Sequence, residues 1–184
     1  MAIGSQVLYT AEEFGRRPDP GYPEELVRGR IVRMPPAGSR HGKVCLNTGY
    51  EVRRFLDDHD LGHALSNDSG VITERGPDTV RGADICFISY QRVPKGPLPA
   101  GYLDVAPDAV FEVLSPDDRW REVLRKVTEY LDAGVRVVVV LDPERRKIHI
   151  FEGDEPTRIL TDQDELTLPG VLGDFRVPVH RFFD

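Results

Sequence analysis

The sequence predicts an α/β fold, a mixed β-sheet flanked by helices, and three observations carry that expectation. A strand, a helix and a buried strand follow one another at Val110 to Leu114, roughly Arg119 to Ala133, and Val135 to Leu141. That succession favours a right-handed crossover with parallel pairing. The four consecutive valines Val137 to Val140 have the unbroken apolar character of a strand covered on both faces. From about Ser39 to Asp58, Val44, Leu46, Val52, Phe55 and Leu56 recur at roughly helical spacing, which makes this the first long helix.

The remaining elements follow in chain order. Thr10 is a good N-cap with Glu13 three residues on, so a short helix runs to about Arg16. Pro18, Pro20, Gly21 and Pro23 then break the chain. Leu26 to Met34 reads as two short strands or one bent strand, with Gly29 at the turn or bulge and Glu25 at the entrance. After the long helix, a strand is expected at Gly70 to Thr73 and a stronger one at Ala83 to Ser89. Pro94, Pro97, Pro99 and Pro107 rule out regular structure from Val93 to Pro107, and loops this long often carry function. Pro116 and the Asp117-Asp118 pair open the next helix, and Gly134 closes it. Lys147 to Phe151 answers the valine strand across the turn from Asp142 to Arg146. The tail from Asp162 to Asp184 reads as short strands and a terminal turn, Val179 to Phe183.

A chain of 184 residues with 40% hydrophobic content buries one sizeable core, so residues 1–184 are read as a single domain. The net charge of -7 argues against nonspecific coating of nucleic acid as the main role, because that affinity comes from many Lys and Arg contacts to phosphate. An enzyme that touches nucleic acid locally remains compatible with it. Cys45 and Cys86 have neither zinc-finger spacing nor the density of a disulfide scaffold and read as core thiols. The opening segment has no basic stretch followed by a long apolar one, and no later apolar run approaches the ~18 residues of a membrane span. A soluble, cytoplasmic protein is expected.

Three acids and one lysine, Glu25, Asp84, Glu112 and Lys126, stand beside or within otherwise apolar segments. Burying carboxylates there costs several kcal/mol unless a cation or proton compensates, which suggests a divalent metal site. Asp84 lies near the start of one strand and Glu112 inside another; matching pleat parity would let both share a cation. Hard oxygen ligands of this kind suit Mg2+ or Mn2+. The alternative for Glu112 is a buried ion pair with Arg81 or Arg119. Lys126 falls at the edge of the apolar stripe made by Val123, Val127, Tyr130 and Leu131, from where its stem can reach along the sheet toward Glu112. Its alternatives are a snorkelling edge lysine or a partner of Glu129. The expectation rests on the set.

These residues resemble the Uma-two family of restriction endonucleases, within the restriction-endonuclease-like PD-(D/E)XK superfamily. The resemblance is carried by Glu25-Leu-Val-Arg-Gly-Arg-Ile, Arg81-Gly-Ala-Asp84-Ile, Pro107-Asp108-Ala-Val-Phe-Glu112-Val-Leu-Ser115-Pro116, Lys126-Val-Thr-Glu-Tyr130-Leu-Asp-Ala-Gly134-Val and Val-Leu-Asp142-Pro143. It covers most of the chain, from about Tyr9 to Phe151 and more weakly to the end, and the run from Glu112 to Gly134 is its most specific part. Leu114 occupies the place of the superfamily lysine; the family sets that lysine on the following helix, where Lys126 matches it. The resemblance implies a restriction-endonuclease-like mixed β-sheet flanked by helices and metal-dependent hydrolysis of phosphodiester bonds in DNA. It further implies that Asp84 and Glu112, with the carbonyl of Val113, hold the metal. Lys126 would orient or help deprotonate the attacking water, and Glu25 would complete the acidic shell, directly or through water. A homodimer goes with cutting both strands at once.

Other residues give weaker signals. His41 beside Arg40 and Lys43 could contact phosphate at a helix start, but a polar first-turn residue is the preferred reading. Arg119, Arg121 and Arg125 are diluted by Glu122, Glu129 and Asp132 into an ordinary solvated face. Lys95 is read as a loop lysine without a specific task, Asn67-Asp68-Ser69 as a turn, Trp120 and Tyr130 as core, and Ser115 as a strand-end residue. No glycine-rich phosphate loop is present. Two functions follow: a metal-dependent endonuclease, or a nuclease-fold binding or assembly module that no longer cleaves. The intact set of four favours the first.

Overall fold

In the computed structural model of the chain, which describes residues 7–184, the first six residues of the segment read for a targeting signal, Met1 to Gln6, lie outside the described part. The chain begins with helix α1 (Ala11–Gly15), where the Thr10 side chain accepts from the Glu13 N–H and the Glu13 carboxylate accepts from the Thr10 N–H, the expected capping box. Strands β1 (Glu24–Val27) and β2 (Arg30–Arg33) form a hairpin. Arg28 and Gly29 at its tip take φ of 50° and 74°, the left-handed pair that matches the twist of a two-residue turn. Helix α2 (Ser39–Asp58) follows, then β3 (Gly62–Glu74), β4 (Thr79–Ser89), β5 (Ala109–Val113), helix α3 (Trp120–Asp132), β6 (Val137–Asp142) and β7 (Lys147–Phe151). The tail adds β8 (Arg158–Leu160), β9 (Glu165–Thr167), helix α4 (Pro169–Leu172), β10 (Arg176–Pro178) and helix α5 (His180–Phe183).

Eight strands make one mixed sheet in the order β2-β1-β4-β5-β6-β7-β8, with β3 also paired to β4; β5 and β6 are parallel, joined through α3 as expected. A separate hairpin pairs β9 with β10. The sheet forks at β4. Val80 pairs with Ile72 of β3 and with Leu26 of β1, while Ile85 pairs with Ser66 of β3 and with Phe111 of β5. One edge of β4 is therefore lined by β3, and the other is shared end to end by β1 and β5. Between Val80 and Ile85 that shared edge has no paired strand among the described residues.

The sheet is packed on both faces. On one, Val44, Val52 and Leu56 of α2 meet Ile85, Phe87, Phe111, Val139 and Ile148, together with the tail residues Leu166, Leu172, Phe175 and Phe182. On the other, Val127 and Tyr130 of α3 cover Cys86, Val110, Val138 and Val140. The valine strand is buried on both sides, as its composition requires. The proline-rich stretch adds only an isolated bridge of Leu103 to Val71. No helix among the described residues is long and apolar enough to cross a membrane. Strand β3 is longer than the Gly70 to Thr73 expected from the sequence, which covers only its second half. The first half contains Ser66-Asn67-Asp68-Ser69, which has no β-propensity, and the pairing slips there: Ser66 opposes Ile85 but Ser69 opposes Ala83, leaving Asn67 and Asp68 across from Asp84 alone.

Candidate active site

The open stretch of the β4 edge is where the predicted acids meet. Continuing the β4–β5 register one residue past the Ile85–Phe111 pair sets Asp84 opposite Glu112, and cross-strand neighbours share a face. Continuing the β1–β4 register past Leu26–Val80 sets Glu25 opposite Arg81 in the same way. The ladder does not close between these pairs, so side chains take over backbone groups. The Val113 N–H donates to Asp84 Oδ2 at 2.8 Å, the Gly82 N–H donates to Glu25 Oε1 at 3.1 Å, and the Gly82 carbonyl accepts from Lys126 Nζ at 3.0 Å.

Lys126 enters from α3, one turn before Tyr130, and both reach Glu112. The ammonium lies 2.9 Å from Glu112 Oε2 and 3.3 Å from Glu25 Oε1, while the Tyr130 hydroxyl donates to Glu112 Oε1 at 2.7 Å. Burial alone would discharge Lys126, but Glu112 and Glu25 outweigh it and hold its pKa above the ordinary lysine value. Arg81 pairs with Glu25 and Glu129. The ion-pair alternative for Glu112 thus goes to Lys126, and Glu129, the sequence-adjacent candidate for Lys126, is taken by Arg81 and Arg125. Burial pushes Glu25 up, but Lys126 and Arg81 bring it below the usual carboxylate range.

Three further side chains, for which the sequence alone suggests no role in the site, belong here. His41, in the first turn of α2, places Nε2 3.4 Å from Asp84 Oδ2 and Nδ1 3.4 Å from Cys45 Sγ. The hydrogen bond to Asp84 raises the His41 pKa against the opposing effect of burial. Asp68 sits in the bulge facing Asp84, and both Asn67 and Asp68 take left-handed φ, 65° and 53°. Its backbone and Cβ press on Gly82, where an added Cβ would come within 3.0 Å of the Asp68 Cβ. Burial and the Asp84 charge raise the Asp68 pKa. Tyr130 is core, as expected, but its hydroxyl is part of the site. An Asn-Asp pair inside a strand run was the available signal for the bulge, since both residues tolerate positive φ. By contrast Lys95 pairs with exposed Asp60, and the Ser115 N–H caps onto Asp118, so neither joins the site.

The donor set fits a hard divalent cation. Burial pushes the Glu112 carboxyl up to about 7, and the Asp84 charge adds to it, even with Lys126 and Tyr130 pulling the other way. The pair is short of positive charge. Asp84 Oδ2 is engaged by Val113 and His41, whereas Oδ1 accepts no hydrogen bond from the described residues and is free to bind an ion.

The model of the Uma2 family, described as "Putative restriction endonuclease", matches residues 11–180. No curated protein matches. Among solved structures the chain is similar to one from Anabaena variabilis ATCC 29413 described as "a putative nuclease belonging to DUF820", with a TM-score of 0.81 and 18% identity over 95% of this chain and 97% of that one. The likeness shows a shared fold, a large mixed sheet flanked by helices. With nearly all of its length spanned by that family's model, the chain belongs to the Uma2 family.

Proposed function

We propose that the protein is a divalent-metal-dependent endonuclease that hydrolyses phosphodiester bonds of DNA, using Mg2+ or Mn2+, and that residues 1–184 act as one domain. The observation that carries this reading is the cross-strand pair Asp84 and Glu112 with the Lys126 ammonium 2.9 Å from Glu112, at a break in the sheet ladder. Family membership supplies the reaction class.

Asp84 and Glu112, with the Val113 carbonyl, would hold the ion. The chemistry a divalent ion supplies there is polarisation of a phosphoryl oxygen and acidification of water. Lys126 is held charged, so it orients the attacking water and offsets charge on the phosphate rather than accepting a proton. Glu25, whose oxygens accept from Arg81, Gly82 and Lys126, would complete the acidic shell, directly or through water, while positioning Lys126. Tyr130 fixes Glu112 from the opposite oxygen. A homodimer goes with this reading, because two sites are needed to cut both strands at once.

The test is cleavage of supercoiled and single-stranded DNA in Mg2+ and then Mn2+, comparing the wild type with Glu112→Ala and Lys126→Ala. Cleavage by the wild type that disappears in both variants supports the reading. A wild type that gains thermal stability from metal but cuts none of these substrates overturns it in favour of a binding or assembly module.

A further inference from the structure

On the flank of the site that faces α2, a second donor set has a different chemistry. His41 and Cys45 are four residues apart on α2, so their side chains share one face of the helix. Asp84 reaches them from β4. Cys45 Sγ lies 3.4 Å from His41 Nδ1, His41 Nε2 lies 3.4 Å from Asp84 Oδ2, and one donor atom from each of the three falls within 4.8 Å of the others. All three residues are half-buried. Glu112 and Asp68 add negative charge around Cys45, which favours a dication.

Sulfur, imidazole nitrogen and a single carboxylate select against Mg2+, which takes oxygen ligands, and toward zinc. Three protein donors would also leave one position of a four-coordinate ion open. The two short contacts use opposite ring nitrogens of His41, so an ion held through either nitrogen draws in the third donor from within 4.8 Å. We propose that His41, Cys45 and Asp84 form a zinc site that shares Asp84 with the Asp84–Glu112 site, so that zinc and the hard ion, held beside one carboxylate, repel and weaken each other's binding. Zinc binding stands on the geometry alone; its consequence, inhibition of DNA cleavage, rests on the nuclease reading.

The experiment uses the full chain stripped of metal and titrated with zinc alone by calorimetry, and with Co2+ by absorption. The wild type takes up one zinc per chain, and Co2+ gives a thiolate-to-cobalt charge-transfer band in the near ultraviolet. Cys45→Ser abolishes that band. Cys45→Ser and His41→Ala each weaken zinc binding by at least the roughly 10- to 100-fold that losing even an outer partner of a metal ligand costs. Circular dichroism and the Mg2+-induced thermal shift, retained in Cys45→Ser, show that the loss is not unfolding. Zinc affinity unchanged in both variants, or no stoichiometric uptake by the wild type, overturns the site. Zinc uptake as described together with no cleavage of any DNA sinks the nuclease reading and leaves the zinc site standing; Mg2+-dependent cleavage without zinc uptake does the reverse.

Discussion

Arg81 donates to Glu25 through Nη1 at 2.7 Å and to Glu129 through Nε at 2.6 Å, and the Arg81 and Glu25 side chains are each only 6% exposed. Removing one partner of a buried pair leaves a charge that neither water nor protein compensates, at a cost of about 3–5 kcal/mol. Arg81→Met is therefore expected to lower unfolding stability by that order in urea titrations, and to release Glu25 from its place beside Lys126. A loss under about 1 kcal/mol would mean that Lys126 alone satisfies Glu25. Glu112 gives a pH signature. Its pKa is raised from 4.5 to about 7, so in the metal-free protein this group contributes stability below 4.5 that is lost as pH rises through about 7. A divalent ion must expel the proton below that point and meets a bare carboxylate above it. The Mg2+-induced rise in melting temperature should grow between about pH 6 and about pH 8 and vanish in Glu112→Gln; a flat response in the wild type would remove Glu112 from the ion site. Glu25, Asp84, Glu112 and Lys126 were legible in the sequence because charged groups in apolar runs are costly wherever they fall. His41 and Asp68 were not, because what brings them to Asp84 is the packing of α2 on the sheet and a bulge in β3, neither of which has a local signature strong enough to be read alone.

At the scale of elements, the strongly patterned segments were legible: the long helix, the valine strand, the crossover through α3 and the first hairpin. The first half of β3 was not, since its bulge replaces alternation with Ser66-Asn67-Asp68-Ser69 and its place is fixed by β4 rather than by propensity. The β1–β2 turn allows a direct test of local backbone chemistry. Arg28 holds φ of 50°, while its side chain makes only a 3.8 Å exposed contact to Glu74, worth little in water. An L residue in the left-handed region costs on the order of 1 kcal/mol, which asparagine largely avoids. Arg28→Asn should therefore stabilise the protein by a good part of 1 kcal/mol in chemical denaturation. Gly29→Ala should do the opposite, because φ is 74° there and its new Cβ would stand 2.8 Å from the Leu8 Cβ. Equal stability of Arg28→Asn and the wild type would show that the turn is not held in this geometry in solution.

At the scale of the whole molecule, the tail that looks peripheral in the sequence closes the core. Leu166, Leu168, Leu172, Phe175, Val177, Val179 and Phe182 are each no more than 2% exposed and pack in the same cluster as Val44, Val52, Phe111 and Val139. The polar contacts agree: Asn47 Nδ2 donates to the Phe182 carbonyl at 3.1 Å, and Arg181 Nε donates to Glu51 at 2.7 Å. Short strands and single turns give no periodic signal, so only tertiary packing shows what they cover. Helix α2, which carries His41 and Cys45 to the site, is thus held between the sheet and this tail. Phe182→Ala should cost about 3–5 kcal/mol, as for a large aromatic lost from a core. The destabilisation should appear first as faster amide hydrogen exchange in α2, before β5 and β6, whose pairing lies deeper in the sheet. Removal of Asp162 to Asp184 should go further and abolish cooperative unfolding, because it exposes the α2 face of the core at once. A truncated chain that still melts in one sharp transition would show that the sheet, α2 and α3 are stable without their cover, and that α2 is positioned by the sheet alone.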